Sequence, residues 1–467
     1  MSNSSIRKIK FNCNTQIYRK MLSLSYRKIL SVALPMMGAS FVQSIVLLTA
    51  SAFLSRYSTD SFAAVGNAGL IYISMHMFIV GISDGAQILI SRRIGEGKYE
   101  SLGQLLGTSI FILSFIVLLL FTFSQTLLPN LISSYIKHPE IAEAQSDYLS
   151  IRSYGLFFAM LMLPIQAYYF AFGKSWVPLV SAIVTAIGNV ILDYTLIFGN
   201  FGFPEMGLKG AALAATISDG LSALFLISFL FLSKEHVKYQ LFHRFRLFKS
   251  TFVEIFRLAL PIVFQGTVAL STWTIFFIWL EQMGKFELTV SQNIRSVYFL
   301  AFVPVWGFAA ATKTYVSQYI GARRIDDIKL IQRRIQLLSI AFMLLIFHGS
   351  FLYPETIISW INPEELYLSK SAETLRFVSF SMFMFAYFNV FFQTINGIGK
   401  TQFTFLIEAI AVLLYALTAY LLIKVWTVDV VYVWTVEYVY FGSMGIMSIL
   451  YLKFSNWKQK INDALVD

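Results

Sequence analysis

ALPMMGASFVQ, residues 33–43, and ALPIVFQGTVA, residues 259–269, are one pattern written twice, 226 positions apart. Carried on without a gap, this register pairs Asn67 with Asn293, Tyr72 with Tyr298, Gly81 with Gly307, Ser91 with Ser317 and Ile94-Gly95 with Ile320-Gly321. Further along, Gly173-Lys174 meets Gly399-Lys400, and Tyr194 meets Tyr420. Scattered coincidences are common in apolar sequence. An unbroken register through polar residues and glycines is not, so the chain is two copies of one unit. Such repeats decide architecture before any single helix is drawn.

The composition says what kind of unit is repeated. Of 467 residues, 57% are hydrophobic and 13% charged, and the mean hydropathy is +0.67. A soluble chain carries roughly 25% charged residues. Many apolar runs exceed the ~18 residues that mark a membrane helix, and the period-2 alternation of a β-barrel is absent. Twelve spans are expected, at 29–55, 62–91, 102–128, 147–172, 176–199, 209–233, 255–282, 289–320, 330–352, 372–397, 401–425 and 428–452. The second and eighth exceed the minimum length and are expected to tilt or project. Six spans per half is an even number, so both halves enter from the same side. They are parallel repeats about an axis along the membrane normal. The expected fold is an all-α membrane protein of two six-helix lobes with a ligand site between them.

Lysines and arginines set the orientation. With the N-terminus inside, 26 of them fall in cytoplasmic segments and 6 outside, from Arg56 to Lys424. Both termini are therefore expected in the cytoplasm, with the protein integral to the plasma (inner) membrane. The net charge of +11 is explained by these one-sided loops, and no nucleic-acid partner is expected. The expected division is a basic arm over 1–28, a first lobe over 29–233, a basic linker over 234–254, a second lobe over 255–452 and a tail over 453–467. The arm lacks the pattern of a cleaved signal peptide and is read as lying on the membrane surface. Cys13 is the single cysteine, so no internal disulfide forms.

Within GNVILDYTLIFG, residues 188–199, Asn189 and Asp193 are four apart and share one helix face. A carboxylate at depth costs at least ~2.5–3.5 kcal/mol and is an ion-site candidate by default. The other reading is an aspartate bonded to neighbouring hydroxyls. Asp84, Arg152, Asp219, Arg295, Lys313, Arg376, Glu408 and Glu437 also lie within spans. Arg152 and Arg376, near outer ends, read as snorkelling side chains. Glu408 and Glu437 are candidates for a second acidic site, with structural pairing as the rival. Asp84 and Lys313 lie at matching depth in spans 2 and 8 and are candidates for an inter-lobe gate. Gln43, Asn67, Gln265, Asn293 and Arg295 are candidate polar residues of a cleft, among Met75, Met77, Trp273 and Trp306. The five histidines form no zinc pattern, no phosphate-cradling loop follows a strand, and no nucleophile stands with a base. A membrane-embedded enzyme is therefore disfavoured, and no metal or other cofactor is expected beyond a coupling ion.

Several strings add up to a resemblance: ALP at 33–35 and 259–261, FAAVGNAG at 62–69, GAQILISRRIGEG at 85–97, GKSWVPL at 173–179 and NVILDYTLIFGNFGFPEMGLKGAALAATIS at 189–218. Over nearly its whole length the chain resembles the multidrug and toxic compound extrusion (MATE) family of cation-coupled efflux transporters. The resemblance implies two lobes forming a V around a central cleft lined by spans 1, 2, 7 and 8. It implies export of small amphipathic compounds driven by H+ or Na+. Asn189 and Asp193 match the amino-terminal-lobe cation site of many members, and Thr216 of span 6 matches a further ligand. The chain departs from the family where a span 1 aspartate is common, since Ala50 stands there, and where a span 7 acid is common, since Ala269 stands there. The repeat partner of Asp193 is Ala419. A carboxylate left this isolated favours proton over sodium coupling. A monomer surrounded by membrane lipid is expected. The close rival is a flippase for a lipid-linked saccharide, which needs a basic cleft, and only Arg295 and Lys313 are candidates for one.

Overall fold

The computed structural model of the protein describes residues 21–136, 139–243 and 245–464. Every regular element among them is helical. Among the described residues eleven helices are long and apolar enough to cross a bilayer, and a pair bent by 45°, Pro139–Arg152 with Gly155–Ala171, is a twelfth when taken as one span. Span 4 is thus longer than its sequence reading of 147–172, and it is broken. The cause is local. Its first half, PEIAEAQSDYLSIR, is polar and its second, GLFFAMLMLPIQAYYFA, is apolar. At the join Tyr154, Leu156 and Phe157 donate to carbonyls only three residues back, the tighter pattern that marks a helix break.

Spans 2 and 8, Thr59–Gly95 and Lys285–Gly321, have 37 residues each. At ~1.5 Å per residue they run roughly 55 Å, well beyond a hydrocarbon core of ~30 Å. Spans 1 and 7, Tyr26–Tyr57 and Lys249–Met283, each carry the proline of the ALP motif inside the helix, Pro35 and Pro261. An internal proline removes a backbone hydrogen bond and weakens the helix at that turn.

The chain forms two compact units. Among the described residues, one takes in those up to Met37 together with those from Phe264 onward, and the other is Gly38–Val263. The divisions fall inside spans 1 and 7, two residues after each proline. The linker 234–254 belongs to the Gly38–Val263 unit. Relative to the sequence boundaries, residues 29–37 and 255–263 have changed sides. Each half of the repeat therefore gives the start of its first helix to the other half's unit.

Close packing explains the exchange. In the Gly38–Val263 unit, Gly81 of span 2 lies against Val263, and Gly85 against Ala259. In the other unit, Gly307 of span 8 lies against Met37. Small residues that let backbones approach are the main device for packing helices in lipid. The N-terminal segment is tied down in the same unit. Leu22 N–H donates to Gln318 Oε1 at 3.2 Å, Tyr319 OH to Leu22 O at 2.9 Å, and Tyr315 OH to Ser23 O at 3.2 Å. Residues 1–20 of the expected arm, including Cys13, lie outside the described residues.

Within the Gly38–Val263 unit the linker is more than a loop. Leu241 is fully buried, and Thr108 OH of span 3 donates to Arg246 O at 3.3 Å. Glu235 is buried and ion-paired with Lys174. Large apolar side chains such as Leu48 and Phe115 are exposed on the spans.

Candidate functional site

Span 5, Trp176–Phe198, carries the first candidate residues. Its neighbour is span 6, Gly207–Leu232, and the two are joined by a hydroxyl pair, Ser181 and Ser222, 2.5 Å apart. Asp193 is 0% exposed and Asn189 1%. Asp193 lies five residues before the end of the helix, roughly 8 Å at ~1.5 Å per residue. Neither carboxylate oxygen of Asp193 has a hydrogen-bond partner among the described residues, and neither does Asn189 Oδ1. Buried polar atoms are almost always bonded, so three unmatched acceptors one turn apart call for a donor or a cation. The rival expectation, an aspartate satisfied by neighbouring hydroxyls, is not what the structure holds. Thr216, also buried, spends its hydroxyl proton on Ile151 O of span 4 at 3.4 Å, which leaves its oxygen an acceptor as well.

Spans 4 and 6 also carry an ion pair. Arg152 Nη1 of span 4 is 2.8 Å from Asp219 Oδ2 of span 6. Arg152 does not snorkel. Its guanidinium is tucked over the Tyr72 ring of span 2, 4.1 Å from the centroid. The contact to Asp219 is close in distance but not aligned as a hydrogen bond, since Nη1 has no partner of proper geometry. Gly155 makes the arrangement possible. A Cβ there would collide with Arg152 Nη1 and stand 3.2 Å from Asp219 Oδ2. His76 lies within electrostatic range of both charges, its ring 6.0 Å from that of Tyr72. Tyr148, one turn before Arg152, interacts with Arg152, Asp219 and Asp193 alike. Arg152, Asp219 and Tyr148 were missed as a group. The available signal was spacing, because Asp219 is three residues after Thr216 and Tyr148 four before Arg152, each on a shared helix face.

The other unit brings Glu408 and Glu437 into one buried cluster. Glu408 is 4% exposed and Glu437 3%. Tyr440 OH donates to Glu408 Oε1, and Tyr415 OH donates to Glu437 Oε1 at 3.2 Å. The two tyrosine rings are 5.9 Å apart. Unlike Asp193, each glutamate has a hydroxyl donor.

The remaining candidates divide. Gln43 and Asn67 are exposed on spans 1 and 2. Gln265 and Asn293, expected to line a cleft, are buried and bonded inside their own unit instead. Gln265 Nε2 donates to Thr404 Oγ1 at 2.7 Å, and Asn293 Nδ2 to Ser371 Oγ at 3.1 Å. The reason is that an amide in an apolar bundle takes the nearest hydroxyl. Arg295 is half-buried with its guanidinium 4.8 Å from the Phe277 centroid. Asp84 is half-buried in the Gly38–Val263 unit, and Lys313 is 8% exposed in the other. Among the described residues no group of three or more His, Cys, Asp or Glu is arranged to hold a metal.

Comparison with known proteins agrees with this architecture. A "Probable multidrug resistance protein NorM" of Thermotoga maritima is 25% identical over 445 residues, covering 93% of each chain. A crystal structure of a MATE protein in a straight conformation superposes with a TM-score of 0.83 at 17% identity, covering 95% of this chain and 97% of that one. An outward-facing multidrug resistance transporter of the MOP superfamily superposes with a TM-score of 0.82 at 18% identity, covering 94% and 96%. The MatE family model matches twice, over residues 35–195 and 261–421, and the two matches are offset by the same 226 positions as the sequence repeat. The chain belongs to the MatE family of efflux transporters, an integral membrane protein built of two repeated six-span halves.

Proposed function

We propose that this protein exports amphipathic organic compounds, cationic ones among them, by alternating access, in exchange for protons. The relatives' names carry the multidrug reading. One observation carries the coupling: a fully buried Asp193 whose two carboxylate oxygens lack any hydrogen-bond donor. An unpaired buried carboxylate is very costly when ionised. A bound proton or cation removes that cost, and its loss restores it. Asp193 is therefore a load whose state the cycle must change. Asn189 Oδ1 and Thr216 Oγ1 add oxygen acceptors on the same seam and orient the occupant. The proton is favoured over sodium because Ala50 and Ala269 supply no second carboxylate to a metal ion.

In this reading both termini lie in the cytoplasm, in keeping with the distribution of lysine and arginine, and the protein sits in the plasma membrane as a monomer without a cofactor. The deciding experiment is efflux of a fluorescent organic cation from proteoliposomes with pH and sodium gradients imposed separately. Transport on a pH gradient without sodium is expected. Strict sodium dependence overturns the proton assignment, and no gradient-driven flux overturns the coupling.

A further inference from the structure

Span 8 presents a row of aromatic side chains with a guanidinium at its end. Arg295, Phe299, Phe302 and Trp306 are spaced four, three and four apart, so they share one side of the helix. Trp273 and Phe277 of span 7 meet this row. The Arg295 guanidinium lies 4.8 Å from the Phe277 centroid, Phe277 is 5.5 Å from Trp273, and Trp273 is 5.5 Å from Phe299. All belong to the unit that begins again at Phe264. Phe299 is 46% exposed, and Trp273, Phe277 and Arg295 are half-buried. Among the described residues no hydrogen bond or ion pair holds the guanidinium, and no carboxylate acts on it. Phe277 is six residues before the end of span 7, so the charge is held roughly 9 Å inside that end at ~1.5 Å per residue. An arginine at depth faces protein or a water-filled cavity rather than lipid. The fold does not ask for this cluster. The repeat partners of Trp273, Phe277, Arg295 and Phe299 are Leu47, Ser51, Gly69 and Ile73, so the first half builds the same helices with neither the charge nor the rings.

We propose that Arg295, Trp273, Phe277 and Phe299 form a substrate subsite for aromatic compounds that carry a carboxylate, zwitterions among them. The inference rests on the reading of the protein as an exporter of amphipathic organic compounds and names a class within it. Aromatic rings pair by offset stacking or edge to face, and the exposed surface of Phe299 offers a substrate ring such a partner. The guanidinium offers five N–H donors in a planar fork that matches a carboxylate by two parallel bonds. Contact with an aromatic ring is compatible with that fork. A carboxylate also supplies the counter-charge that Arg295 lacks among the described residues. A compound that is only cationic gains the rings but meets the guanidinium as a like charge. Arg295 is therefore the residue that sets specificity, and it does so by charge rather than size.

The test compares two dyes that differ at one group, a rhodamine zwitterion with a free carboxylate and its cationic methyl ester. Efflux of each from proteoliposomes holding the full-length protein is measured under a pH or a sodium gradient. Arg295→Gln is expected to raise the KM of the zwitterion relative to that of the ester by on the order of tenfold, the fold-change of one charge-assisted hydrogen bond. Arg295→Lys keeps the charge but loses the fork, and its ratio is expected to fall between. Trp273→Ala is expected to raise both KM values alike, because a ring serves both dyes. A KM ratio unchanged in Arg295→Gln, or an effect confined to kcat, overturns the proposal. A loss in Arg295→Gln that follows the phosphatidylglycerol content of the vesicles, with the dye ratio unchanged, assigns the guanidinium to a lipid phosphate and also overturns it. If Arg295→Gln does not fold, the Arg295→Lys ratio carries the test. Failure of the export reading shows separately, as neither dye moving on either gradient, and the same ratio is then read from Kd by fluorescence anisotropy in detergent.

Discussion

Gly307 closes on Met37 so tightly that a Cβ at position 307 would lie 2.9 Å from the Met37 backbone nitrogen and overlap its Cγ. The repeat-related pair, Gly81 and Val263, has the same relation, with 3.1 Å to the Val263 nitrogen. Overpacking of this kind costs typically ~1–3 kcal/mol. Gly307→Ala and Gly81→Ala are therefore expected to lower the melting temperature in detergent by several degrees. Gly442→Ala, whose Cβ would meet only Met384 Cε at 3.4 Å, is the control and is expected to be neutral. Equal melting of all three variants removes the packing argument.

Asp193→Asn is expected to reduce gradient-driven efflux to background without lowering thermal stability. The substitution removes an uncompensated buried charge, and such charges destabilise by several kcal/mol unless neutralised. Efflux and melting measured on one preparation separate the two effects. Wild-type efflux refutes the coupling role, and a large loss of stability points to a bonded, structural aspartate.

Glu408→Gln and Glu437→Gln are expected to retain most transport, because Tyr440 and Tyr415 already supply each glutamate with a donor. Tyr440→Phe and Tyr415→Phe are expected to destabilise by ~1–3 kcal/mol, the cost of leaving a buried acceptor unmatched, and each Gln substitution should relieve part of that cost. Chemical denaturation of singles and doubles reads the coupling. Abolished efflux in either Gln variant instead assigns the cluster to the transport cycle.

Just past the end of span 2, Glu96 receives Lys98 at 2.9 Å and Arg93 at 3.0 Å, and Arg93 also reaches Glu254 at 3.0 Å. Burial pushes the Glu96 carboxyl up, but Lys98 and Arg93 outweigh it and hold it below its ordinary value of 4.5. A carboxyl depressed in the folded state contributes stability above its unfolded value, and that contribution is lost as pH falls through the folded one. Glu96→Gln is therefore expected to cost about 1 kcal/mol or less at neutral pH and nothing in strong acid. Melting curves across that range check the sign, and a deficit that grows on acidification contradicts it.

The repeat was legible because Gly, Pro and Asn recur at positions where packing and helix geometry restrict the choice. The pairing of Gly81 with Val263 repeats that of Gly307 with Met37, and the register predicted their equivalence without revealing the contact. Asp193 was legible because a charge among Val, Ile and Leu has few explanations. Arg152 was misread because snorkelling and burial leave the same trace in sequence, an arginine near a span end. The difference lies in Asp219, 67 positions later, and in the break at Ser153–Tyr154 that aims the side chain inward. Gln265 and Asn293 were placed facing a cleft because a polar residue in an apolar helix does not declare which neighbour satisfies it.

The exchanged starts of spans 1 and 7 impose an order on synthesis. The Gly38–Val263 unit is complete in sequence once Val263 has been made. Leu22 and Met37 instead belong with Gln318 and Gly307, and Leu22 bonds a residue 296 positions away. At ~5–20 residues per second, a ribosome needs roughly 15–60 s to bridge that gap. Throughout that interval the start of the first helix, as far as Met37, waits without its seat, while the rest of that helix and the helices up to Val263 have all their partners.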